Sequence, residues 1–90
     1  MPEVRLPTVL RPHADGRSSL VVPGATIGEV LQQLVAGHPG MAGQVLTDDG
    51  TLHRFVNVYL NDDDVRYLDG LDTKVADGDT VSILPAVAGG

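Results

Sequence analysis

The sequence predicts one small α+β domain, a mixed β-sheet covered on one face by a single main helix. Three observations carry this. Apolar residues alternate with period two near the start, in the middle and near the end of the chain. One intervening stretch instead repeats its apolar residues at helical spacing. Turn-forming clusters rich in Gly, Pro and Asp separate these stretches.

In residues 3–10, Val4, Leu6, Thr8 and Leu10 alternate with Arg5, Pro7 and Val9, the pattern of a half-buried strand. Pro7 supplies no ladder donor, so this strand is expected to be bulged or to leave its ring nitrogen unpaired. A turn on Asp15-Gly16 leads into a second strand over residues 18–22. Together they read as a β-hairpin closed by Pro23-Gly24.

Thr26 and Glu29 have capping-box spacing, and Ile27, Val30, Leu31, Leu34 and Val35 follow on one stripe. The helix is expected to end near Ala36, with Gly37 as its left-handed cap and Pro39 preventing continuation. Residues 40–52 read as irregular, with a short helical turn around Met41, Val45 and Leu46 and a loop at Asp48-Asp49-Gly50. Residues 55–60 then alternate Val56, Val58 and Leu60 against Phe55, Asn57 and Tyr59 and read as a central strand, turning at residues 61–64. A single turn around Leu71, beyond a break at Gly70, and a turn at Asp77-Gly78-Asp79 precede a last strand over residues 80–84. With Val56, Val58, Leu60, Val81 and Ile83 facing the helix, the opposite sheet face presents Phe55, Tyr59 and Leu84. That apolar patch lies beside the final residues and is a candidate partner site.

Ninety residues, 42% of them apolar, suffice for one core, built from aliphatic side chains because Phe55, Tyr59 and Tyr67 are the only aromatic residues. A net charge of −6 with a single lysine, Lys74, excludes a nucleic-acid binder and favours a basic partner. Without cysteine, the chain has no disulfide, thiolate metal site or thiol nucleophile of its own. No segment resembles a signal peptide or membrane span, so a cytoplasmic location with no membrane partner is expected.

The sequence presents no self-contained active site. His13, His38 and His53 fall in separate loops without metal-site spacing. Asp62, Asp63 and Asp64 lack the spacing of a calcium loop and fit a solvated turn or a contribution to docking. Arg54 and Arg66 are candidates for surface ion pairs. No bound metal or tightly held cofactor is expected. There remains LPAVAGG, residues 84–90, where Gly89-Gly90 is either an unstructured end or a thin tether for a reactive carboxylate. Such a carboxylate is inert until another enzyme activates it with ATP.

The stretches LPTVLRPH (residues 6–13), LHRFVNVYLNDDDVRYL (residues 52–68) and VADGDTVSILPAVAGG (residues 75–90) resemble the ThiS/MoaD family of ubiquitin-like sulfur carriers, nearest to its actinobacterial cysteine-forming branch. The resemblance spans nearly the whole chain and is weakest over residues 41–51. It implies a β-grasp domain over residues 1–85 and a flexible tail over residues 86–90. It also implies that Gly90 is adenylated by an E1-like adenylyltransferase/sulfurtransferase and becomes a thiocarboxylate. Gly89, Ala88, Val87 and Ala86 would thread the partner's channel, and Phe55, Tyr59, Leu84 and Pro85 would dock. The carrier would then be a protein co-substrate and not an enzyme. It would serve a sulfur-accepting enzyme such as a cysteine synthase, with a metalloprotease releasing the product. Thiamin, molybdopterin and secondary-metabolite pathways use the same kind of tail, and a ubiquitin-like modifier joined through Gly90 to protein lysines would share its first chemical step.

Overall fold

The computed structural model describes residues 1–54 and 56–85. Five strands form one sheet in the order β2-β1-β5-β3-β4: β1 is Glu3–Arg5, β2 Ser19–Val21, β3 Val56–Leu60, β4 Asp63–Asp64 and β5 Thr80–Pro85. β1 and β5 are parallel and the other neighbours antiparallel, so the sheet is mixed as predicted. The strand over residues 56–60 is interior, but β5 holds the middle position.

Helix α1, Ile27–Gly37, starts where the capping box places it. The Thr26 side chain accepts a hydrogen bond from the Glu29 N–H at 3.2 Å, and Glu29 Oε1 accepts one from the Ala25 N–H at 3.2 Å. Two orphan donors are thereby satisfied. Ile27, Val30, Leu31 and Leu34 are buried, each contributing about 1.5–3 kcal/mol from apolar burial. They meet Val4, Val58, Val81 and Ile83 from the sheet, and Leu6 just beyond β1, within one core.

Gly37 is the last helical residue and has no left-handed backbone, contrary to expectation. His38 ends the helix with φ −137° and ψ 77°, because the following Pro39 ring bars its neighbour from helical geometry. Gly24 has the more demanding position: its φ is +156°, and an added Cβ would lie 2.7 Å from the Val30 backbone nitrogen. Only glycine lets the connection pass this close to α1.

The expected first strand does not reach Leu10. It stops at Arg5, and Thr8–Ala14 form a 3₁₀ helix instead. Pro7 has no N–H for another ladder rung, and its extended backbone (φ −70°, ψ 161°) directs the chain out of the sheet. Leu10 and Ala14 still reach the core. β1 and β2 are therefore an antiparallel pair joined by a long connection rather than a tight hairpin, although Asp15 and Gly16 turn with positive φ as predicted.

Residues 40–52 contribute more to the core than irregular chain suggests. Met41 and Val45 are fully buried, and Leu46 bridges to Leu52. Beyond β4 there are two 3₁₀ turns, Val65–Tyr67 and Gly70–Asp72, where the sequence suggested one around Leu71.

Candidate functional site

The sheet face away from α1 follows from strand parity. Cross-strand registers set Arg5 beside Ser19 and Ser82, Ser82 beside Tyr59, and Leu84 beside Asn57. Tyr59 is half-buried, while Leu84 is 45% exposed and Pro85 is exposed. The uncovered face thus combines apolar and polar side chains. Phe55 and the expected tail residues Ala86, Val87, Ala88, Gly89 and Gly90 lie outside the described residues.

β5 ends at Pro85, paired with Val56 at the start of β3. Arg66 secures this end of β3: its guanidinium donates to Asn57 Oδ1 and, at 2.7 Å, to the Val56 carbonyl oxygen. Its own N–H donates to Asp64 Oδ1 at 2.9 Å. Arg66 therefore anchors strand backbone, where the sequence suggested an ion pair with a neighbouring aspartate. Asp64 caps the Val65–Tyr67 turn, and Asp63 pairs with Leu60. Among the described residues no group of three or more His, Cys, Asp or Glu could hold a metal ion.

At the opposite end of β5, Asp79 Oδ2 accepts the Ala76 N–H at 2.8 Å, and its Oδ1 accepts from Asn61 Nδ2 at 3.2 Å. The Ala76 and Asn61 hydrogen bonds favour the carboxylate and hold Asp79 below the usual value of 3.8. Asn61 has φ 56° and also accepts the Thr80 N–H at 3.1 Å. This network ties the β3–β4 turn to the start of β5 and fixes the strand that leads to the last residues.

The histidines do not converge. His13 Nε2 lies 3.2 Å from Gln44 Nε2, His38 ends α1, and the His53 N–H donates to the Val45 carbonyl. Sequence inspection did miss a groove of about 660 Å³ where Arg5 and Arg11 approach Ser82, Leu84 and Pro85. The outward parity of Arg5 was its one visible trace.

A mixed sheet in the order β2-β1-β5-β3-β4, crossed by one helix and with its middle strand leading to the final residues, defines a ubiquitin-like β-grasp protein. The chain belongs to the ThiS family, whose model matches residues 4–90. It is 51% identical over 89 residues to sulfur carrier protein CysO of Mycobacterium tuberculosis strain H37Rv, covering 97% of this chain and 96% of that protein. A crystal structure of the Amycolatopsis orientalis BexX/CysO complex contains a chain that matches with TM-score 0.90 and 46% identity over 100% of both chains. Small archaeal modifier protein 3 of Haloferax volcanii is 47% identical over 66 residues, 73% of this chain and 71% of that protein. No helix among the described residues is long and apolar enough to cross a membrane.

Proposed function

We propose that this protein carries sulfur as a C-terminal thiocarboxylate on Gly90. The observation that carries the reading is the family match, which continues through Gly90, together with 51% identity to a sulfur carrier over 97% of the chain. The chemistry is consistent with a chain that has no cysteine and must hold sulfur on a carboxyl carbon. The Gly90 carboxylate attacks the α-phosphate of ATP on an E1-like enzyme, giving an acyl adenylate and pyrophosphate. A sulfur nucleophile then displaces AMP and leaves the thiocarboxylate.

In this reading β5 presents the tail, and the five residues beyond Pro85 span at most about 18 Å when extended. Gly89 gives clearance in the partner's channel, Ala88, Val87 and Ala86 thread it, and Phe55, Tyr59, Leu84 and Pro85 dock on the open face. The sulfur goes to a cysteine synthase, and a metalloprotease releases the cysteine formed on the carrier. The pathway operates in the cytoplasm, where ATP serves the activating enzyme.

The test is intact mass spectrometry after incubation with the activating enzyme, ATP and a sulfide source. One oxygen at Gly90 should be replaced by sulfur; a chain that is efficiently adenylated yet acquires none overturns the proposal. Similarity to an archaeal modifier protein supports a second reading, in which the same adenylate ends as an amide on a target lysine. Higher-mass conjugates that survive reductant on a denaturing gel would favour it.

A further inference from the structure

The groove on the open face owes its existence to one residue. β1 pairs with β5 only as far as Arg5 opposite Ser82, because Pro7 cannot donate to another rung and the chain leaves as a 3₁₀ helix. β5 nevertheless continues to Pro85, still paired on its other side with β3. Its last three residues therefore have a strand on one edge and a notch on the other.

The notch has a distinct charge. In a chain of net charge −6, its lining among the described residues includes Arg5 and Arg11 and only one carboxylate, Glu3. Arg11 is held by a 3.3 Å hydrogen bond from Nε to the Leu6 carbonyl oxygen, which fixes its stem and leaves its terminal nitrogens available. The Arg5 guanidinium has no hydrogen bond or ion pair among the described residues. Ser19 and Ser82 flank it across the strands, while Leu84 and Pro85 form an apolar wall.

We propose that this notch seats an Asp or Glu side chain of the activating enzyme, held by Arg5 and Arg11. The inference rests on the open face being the docking surface for that enzyme. Two guanidiniums suit a carboxylate in a forked geometry, and the apolar wall suits the methylene stem that carries it. The chain's overall negative charge disfavours a free polyanion. The contact lies beside the strand leading to Gly90, so it sets the orientation in which the tail enters the enzyme.

The test is steady-state adenylation of the full chain by the purified activating enzyme, followed by pyrophosphate release. Arg5→Glu should raise KM for the carrier at least roughly tenfold, leave kcat within about twofold and weaken the salt dependence of kcat/KM. Arg5→Gln should give a smaller rise, and Arg5→Lys should recover part of the loss. Thermal unfolding of each variant separates docking from folding, and Arg5→Gln retains a neutral polar side chain if the reversal unfolds the sheet. Unchanged carrier KM in a folded Arg5→Glu variant overturns the inference, as does a change confined to KM for ATP, which would mark a nucleotide phosphate site. No adenylation of the wild-type chain would instead overturn the function proposed above.

Discussion

Asn61 and Asp79 show how two surface side chains hold the strand that serves the terminus. Asn61 accepts a left-handed backbone that most residues resist, and its amide bonds both Asp79 and the Thr80 N–H. Since the folded-state pKa of Asp79 is lowered, its ionised form is favoured by folding. The associated stability is present above the ordinary value of 3.8 and disappears as pH falls through the lower folded value. Asp79→Asn should therefore flatten the acid limb of a plot of urea midpoint against pH. An unchanged limb would remove Asp79 from the acid response. Asn61→Ala should cost about 1–2 kcal/mol through lost bonds and backbone strain. Asn61→Gly should recover the backbone part alone, and denaturant unfolding of both variants separates the two contributions.

Among the elements, α1 is the one whose local sequence and tertiary packing agree most fully. Thr26 satisfies the Glu29 N–H, so Thr26→Ala should lower stability by about 1 kcal/mol, whereas Thr26→Ser should stay close to wild type. Urea unfolding checks the pair, and equal losses would mean that the methyl group, not the hydroxyl, is responsible. The same helix shows why its start was more legible than its end. A capping box is written in side chains three residues apart, but His38 stops the helix through the steric demand of Pro39 rather than through a left-handed Gly37. The first strand failed for a related reason. Alternation continues through Leu10, yet Pro7 cannot supply the next rung, and Leu10 reaches the core from a 3₁₀ turn instead. Met41 and Val45 were hard to place because their burial depends on distant packing, with no periodic local pattern to announce it.

At the scale of the molecule, the core and the open face divide stability from recognition. Strand parity made Tyr59 and Leu84 legible as outward residues, but the Arg5–Arg11 notch joins β1, the 3₁₀ helix and β5 and requires the parallel β1–β5 pairing to assemble. Leu31 is fully buried beneath the sheet, and the last core residue among those described is Ile83. The two kinds of damage should therefore be separable. Leu31→Ala should cost about 3 kcal/mol by leaving a cavity while the folded fraction still accepts sulfur. Deleting Gly89 and Gly90 should leave the unfolding midpoint unchanged and abolish adenylation. Denaturant unfolding and pyrophosphate release on both variants provide the comparison. Retained adenylation in the shortened chain would detach the chemistry from Gly90, and an earlier unfolding midpoint would show that the final glycines also support the fold.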